Sequence, residues 1–229
     1  MSVFIHVEGR HRRQSQWAIW VLVCLCVLSF VWFSLCPPAR QLQWVTQWGV
    51  VPADVLDRHQ PWLRQLADPA LLRLLTGLFI HVTWLHLLSN MLFLVIFGVP
   101  TDRTLGSARF MLLFLLGGVA SNLCGAISLE GYRAPIIGCS GAVSAVVGTY
   151  IALFPRARMG LVLPLGLYFE FVRLPAWMLI GIWVLIQLLF SYIGASYGAV
   201  AWWTHISGFL FGVMFALLAR DGIARRRRR

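Results

Sequence analysis

Long apolar runs punctuate the chain, at residues 17–36, 84–99, 109–129, 136–154, 175–193 and 202–219. A helix rises about 1.5 Å per residue, so roughly 20 apolar residues cross a hydrocarbon core of about 30 Å. The first run has that length and stops at Pro37 and Pro38. A cleaved signal peptide would carry a shorter apolar core and a small-residue cleavage site, and Leu35 before Cys36 does not suit a lipoprotein-type site. The run is therefore expected to stay as a transmembrane helix. Between residues 37 and 80 the pattern changes, with Trp44, Trp48 and Trp62 interspersed among Asp54, Asp57, Arg58, Arg64 and Asp68. Amphipathic segments with tryptophan suit the lipid headgroup layer, which predicts a long interfacial loop with short helices. Residues 160–173 are apolar but carry Pro164 and Glu170, and read as a re-entrant or interfacial connection. The small, glycine-rich stretch 194–201 reads as a mobile cap over the last helix. The pattern predicts an all-α fold: a polytopic membrane bundle of six transmembrane helices over residues 17–219, an N-terminal cytoplasmic tail at 1–16 and a basic cytoplasmic tail at 220–229.

Composition sharpens this picture. Of 229 residues, 59% are hydrophobic and only 12% charged, where a soluble domain carries about a quarter charged. With a mean hydropathy of +0.78, the chain reads as an integral membrane protein with little room for a soluble catalytic or binding domain. Its partner is the lipid bilayer. The net charge of +11 comes from 19 basic residues, all arginine, against 8 acids. Nucleic-acid binders spread such charge over a solvated face, whereas these arginines lie between apolar runs, so no nucleic-acid partner is inferred. With an even number of spans both termini share one side. If that side is the cytoplasm, 14 of the 19 arginines are inside, which the positive-inside rule favours. All-arginine basic usage with short tails on a minimal core suits a bacterial cytoplasmic membrane. The run Arg225 to Arg229 reads as an anchor to an anionic leaflet. Of the cysteines, Cys24, Cys26, Cys36, Cys124 and Cys139, none forms a CxxC pair, and neither a disulfide framework nor a zinc site is read from them.

Polar residues inside such a chain are functional hypotheses, because burying them without partners is costly. The second run opens HVTWLHLLSN with His81, His86 and Asn90, the fourth begins GCSGAVSAVVG with Ser140, and the sixth begins THISGFLFG with His205. His86 and Asn90 stand one helical turn apart on one face. Such a pair also serves as an interhelical hydrogen bond, and Asn122, which lacks a companion, reads as packing. A lone G-x-S-G is a weak motif, since a serine among glycines often only lets helices approach. Here Ser140, His205, His86 and Asn90 all fall near the start of outside-to-inside spans, and so at one depth. Gly208 and Gly212 follow His205, and Gly141 and Gly148 mark the corresponding face of the fourth span. Close contact of these two faces brings Ser140 to His205. A base then activates the hydroxyl, and the Ser140 N–H with the His86 and Asn90 side chains meets the oxyanion. Cys139, beside the serine, is a second candidate nucleophile. Asp102 and Glu170 fall at the opposite end, so a Ser-His dyad is predicted without a third acid. His81, His86 and His205 as metal ligands are disfavoured, because the five-residue step from His81 to His86 turns the two apart and no carboxylate joins them; no metal or other cofactor is expected.

These motifs together resemble the rhomboid family of intramembrane serine proteases, over about residues 71–219. The resemblance rests on H-x4-H-x3-N at His81, His86 and Asn90, G-x-S-G at Gly138 to Gly141, and H-x2-G-x3-G at His205, Gly208 and Gly212. It implies Ser140 as nucleophile, His205 as general base, His86 and Asn90 in the oxyanion hole and His81 as a structural residue of the loop. It implies transmembrane protein substrates, unwound near the outer surface. The family's loop arginine is matched by Arg73 and its acid after the second span by Asp102. Two positions depart: Leu72 stands where a tryptophan often precedes that arginine, and Ser144 where an aromatic commonly packs on the catalytic histidine. Two other readings compete with this one. A non-cleaving relative that binds transmembrane segments usually lacks the serine or the histidine, and both are present. A transporter would carry inverted repeats, of which the sequence has no sign.

Overall fold

The computed structural model describes residues 16–55, 69–165, 168–193 and 202–227. Helix α1 (Trp17–Leu35) buries one stripe, Ile19, Leu22, Cys26, Phe30 and Phe33, while Trp20, Leu25, Leu28 and Trp32 point outward. An apolar helix whose outer face is as apolar as its inner one is suited to lipid, not water. The same holds for α5 (Trp84–Leu105), α6 (Ser107–Ser128) and the apolar part of α9 (Trp202–Arg227), each of which leaves large aliphatic side chains exposed. Among the described residues these four are long and apolar enough to cross a membrane. The chain is an integral membrane protein built as a helical bundle.

Helix α7 (Ser140–Leu153) is the exception that organises the rest. Every residue from Gly141 to Tyr150 is buried, so α7 runs through the middle of the bundle, against α5, α6 and α9. Its 14 residues span only about 21 Å, some 9 Å short of a hydrocarbon core. The sequence pattern predicts this run from residue 136. The structure instead leaves residues 136–139 outside the helix: Ile136 forms an antiparallel bridge with Val50, and Gly138 takes φ +95°. The bridge satisfies backbone groups that a helix would otherwise pair. Helix α8 (Ala176–Ile193) precedes α9 and exposes Ile182, Leu185 and Leu189.

Between α1 and α5 lie short helices, α2 (Pro38–Trp48), α3 (Pro52–Val55) and α4 (Arg73–Thr76), with 3-10 turns at Pro69–Leu72 and Gly77–Phe79. Arg73 bridges to Asp54 at 2.9 Å, and Thr76 Oγ1 donates to the Trp48 carbonyl at 2.7 Å, tying α4 to α2 and α3. On the other side of the bundle, α5 extends past Pro100 to Leu105 and turns into α6 at Gly106, with φ 84°. There Ser107 Oγ donates to Asp102 Oδ1 at 2.9 Å. Asp102 is thus inside the last turn of α5, not after it.

The segment read as a re-entrant connection is an antiparallel hairpin, β1 (Arg158–Leu165) and β2 (Tyr168–Pro175), paired from Arg158 with Pro175 to Leu165 with Tyr168. It departs from a purely all-α fold. Its valines, leucines and aromatics suit strands, and pairing two strands satisfies backbone groups that an irregular apolar segment would leave unpaired. The stretch 194–201, read as a mobile cap, lies outside the described residues.

Candidate active site

Glycines bring α7 and α9 into backbone contact. A Cβ on Gly208 would strike the Gly141 carbonyl, one on Gly212 the Ala145 carbonyl, and one on Gly148 the Phe209 carbonyl. Gly141 in turn faces Ser121 Oγ on α6. Thr149 Oγ1 crosses the same seam to the Gly212 carbonyl at 2.8 Å. Small residues at these steps let the two axes approach more closely than side chains would allow.

Ser140 is the first residue of α7, and His205 lies in the first turn of α9. Their approach sets Ser140 Oγ 2.8 Å from His205 Nε2. As the opening residue of a helix, Ser140 belongs to the turn whose backbone N–H groups have no intrahelical acceptor and whose dipole favours negative charge.

The second wall is the start of α5. Thr83 caps this helix, its hydroxyl accepting from His86 N at 3.1 Å, which fixes His86 in the first turn. The His86 ring lies over Gly138: a Cβ there would come within 2.5 Å of it, and the residue's φ of +95° also requires glycine. Gly138 N donates to the Gly77 carbonyl at 2.9 Å, which secures the serine loop to the turn before α5. Asn90 is buried, and its Nδ2 donates to the His86 carbonyl at 2.9 Å. An amide nitrogen carries two hydrogens, so the second stays available. His81 is fully buried, with its ring edge-on to His86 at 5.0 Å and Nε2 3.5 Å from Cys139 Sγ.

Cys139, the other candidate nucleophile, is therefore buried and paired with His81, not with His205. Asp102 sits sixteen residues along α5 from His86, about 24 Å away along the axis. Asn122 does more than fill space: its buried Nδ2 donates to the Leu74 carbonyl at 2.8 Å, holding α4 against α6. Among the described residues no group of three or more histidine, cysteine, aspartate or glutamate side chains could hold a metal ion.

One neighbour of the pair was missed in the sequence. Gln187 on α8 is buried, with Oε1 2.8 Å from His205 Nδ1. The sequence offers only a lone amide in an otherwise apolar run, with no spacing to a partner. The Trp183 and Trp202 rings flank the imidazole at 6.4 and 6.1 Å between centroids. Ser144, at the position where an aromatic commonly packs, is buried and donates to the Ser140 carbonyl at 2.7 Å.

Residues 68–221 match the Rhomboid domain family. The chain is similar to Rhomboid protein 1, mitochondrial, of Saccharomyces cerevisiae (26% identical, covering 66% of this chain and 42% of that protein). It is similar to the Putative rhomboid protease YdcA of Bacillus subtilis (33% identical, 38% of this chain and 45% of that one). It is also similar to the Inactive rhomboid protein 1 of Drosophila melanogaster (36% identical, 41% of this chain and 6% of that one). The chain spans less than half the length of these curated relatives.

Proposed function

Because the chain belongs to the rhomboid family, we propose that it is an intramembrane serine endopeptidase, cutting peptide bonds in or next to transmembrane segments of other membrane proteins. The observation that carries this reading is the 2.8 Å contact of Ser140 Oγ with His205 Nε2 at the recessed start of the central helix. A serine hydroxyl is a weak nucleophile until a base takes its proton. In the proposed reaction Oγ attacks the scissile carbonyl carbon as its proton passes to Nε2. The tetrahedral oxyanion is met by the Ser140 N–H, the second Asn90 Nδ2 hydrogen and the His86 ring. Removing one such donor typically costs about a hundredfold or more in rate. Nε2 then returns the proton to the leaving amine, and water admitted from the outer surface hydrolyses the acyl-enzyme by the same route. His81 holds the serine loop and Arg73 the preceding loop, while Gly138, Gly141, Gly208 and Gly212 keep the walls close. No cofactor takes part.

In the proposed topology α8 and the short α7 complete six membrane helices, and the segment between α1 and α5 lies in the headgroup layer. Both termini face the cytoplasm, and the membrane is a bacterial inner membrane. The shortness of α7 supports a catalytic depth some 9 Å below the edge of the hydrocarbon core. A substrate helix hides its peptide bonds, so segments weakened by glycine are cut fastest. The test is cleavage in proteoliposomes of a single-span reporter carrying either a Gly-Ala or a Leu-Leu step near its outer end. The glycine reporter is cut by wild type and not by Ser140→Ala or His205→Ala. Equal cleavage by Ser140→Ala defeats the proposal, and binding without cleavage by wild type makes the chain a non-cleaving binder.

A further inference from the structure

The imidazole of His205 has two nitrogens, and only Nε2 faces Ser140. A neutral imidazole carries a single proton, and a base that accepts from Ser140 Oγ through Nε2 must hold that proton on Nδ1. In solution nothing enforces this choice. Here Gln187 Oε1 lies 2.8 Å from Nδ1 on a side chain only 7% exposed. A carbonyl oxygen can only accept, so this contact requires the Nδ1–H tautomer and leaves Nε2 with its lone pair toward the hydroxyl.

We propose that Gln187 is the third, positioning member of the site: its amide oxygen fixes the tautomer and rotation of His205, making a Ser-His-Gln relay in place of a bare dyad. The inference rests on the reading of Ser140 and His205 as the reacting pair. Three features point to the amide. First, Ser144 leaves no aromatic ring on the α7 side of the imidazole; the Gly208 step, where a Cβ would already sit 3.3 Å from Ser144 Cβ, has no room for one. The ring must therefore be oriented from elsewhere. Second, Trp183 stands one turn before Gln187 on the same face of α8 and also borders His205, so one helix supplies both a wall and a hydrogen bond. Third, a buried amide in a lipid-facing helix is costly unless bonded, and this helix has aliphatic residues on either side, Ile186 and Leu188. The groups facing His205 are Ser140 from α7, Gln187 and Trp183 from α8, its own neighbour Trp202, and His86 from α5, which is close enough to interact electrostatically. A neutral amide therefore orients the ring without adding a charge in the membrane, where an aspartate would be expensive to ionise.

Three variants of the full chain separate positioning from packing: Gln187→Leu, which keeps the volume and loses the acceptor, Gln187→Glu, which keeps an acceptor oxygen, and Ser140→Ala as blank. Two readouts are taken in detergent, the rate of fluorophosphonate labelling against pH and the 15N spectrum of histidine-labelled protein. Gln187→Leu should label about tenfold more slowly, the value of one neutral hydrogen bond expressed as a rate, at unchanged thermal stability or with a loss that Gln187→Glu shares. Gln187→Glu should recover most of the rate, with the acid limb of its pH profile moved to higher pH, since a carboxylate beside Nδ1 favours the protonated ring. The 15N spectrum should place the proton of His205 on Nδ1 in wild type and shift it toward Nε2 in Gln187→Leu. Wild-type labelling and an unchanged tautomer in Gln187→Leu overturn the proposal. So does a wild-type ring protonated at Nε2, whether or not any variant labels. A wild type that is folded and protonated at Nδ1 but never labels leaves Gln187 in its role and defeats the protease reading instead.

Discussion

Replacing Gly208 by alanine inserts one methyl group between the helices that carry Ser140 and His205. The new Cβ would stand 3.1 Å from the Gly141 carbonyl carbon and 3.3 Å from Ser144 Cβ, with the Gly141 carbonyl oxygen nearer still. Carbon atoms in good contact lie about 3.5–4.0 Å apart, so α7 and α9 must separate by about 0.5–1 Å. Neither neighbour is the free end of a flexible side chain, and Gly141 is itself held by Ser121 behind it, so the strain passes to the helix axes. The Ser140–His205 contact of 2.8 Å lies one turn away and opens by a similar amount, to about 3.3–3.8 Å, beyond good hydrogen-bond range. A misplacement of this size costs about a hundredfold in rate, and overpacking costs about 1–3 kcal/mol in stability. The assay is the rate of fluorophosphonate labelling beside thermal unfolding in the same detergent. Gly181→Ala is the control, since a Cβ there meets nothing within 4 Å; it should label normally and gain up to about 1 kcal/mol from helix propensity. Gly208→Ala with wild-type labelling and an unchanged unfolding temperature would refute the argument that backbone contact sets the site.

Gly138→Ala forces a β-carbon into the left-handed region and against the His86 ring, so labelling should fall about a hundredfold, as for loss of one oxyanion donor, even where circular dichroism shows a folded bundle. Asn122→Ala strips a buried carbonyl of its donor and should cost about 1–3 kcal/mol in thermal unfolding, with a normal labelling rate in the remaining folded protein. Arg73→Ala removes an ion pair whose side chains are 26% and 43% exposed, so the loss should be under about 1 kcal/mol and vanish in high salt, read by the same unfolding assay.

The membrane character of the fold was legible because apolar length is a property of sequence alone. Helix ends were less so. Residues 136–139 are as apolar as the helix that follows, and only the bridge of Ile136 to Val50, far away in the chain, shows that the helix does not begin there. The hairpin of β1 and β2 escaped for a related reason: an apolar strand pair and a re-entrant loop share the same composition, and Pro164 and Glu170 read as interruptions although both lie in the paired strands. At the site, the glycines spaced after His205 and Ser140 carry their meaning in the sequence, because a run of small residues has few uses inside a bundle other than close approach. Gln187 carries none until α8 is placed beside α9. A single amide in an apolar run has no spacing to read. Asn122 reads only as packing in the sequence for a like reason: its acceptor is a backbone carbonyl, Leu74, that no side-chain pattern announces.

The most direct test of the central claim, that His205 activates Ser140, is labelling of detergent-solubilised protein with a fluorophosphonate probe, with the adduct mapped by mass spectrometry. Wild type and Cys139→Ala should both carry the phosphonate on Ser140, while Ser140→Ala and His205→Ala stay unlabelled. An adduct that survives Ser140→Ala, or a folded wild type that takes no probe in either detergent or lipid, would contradict it.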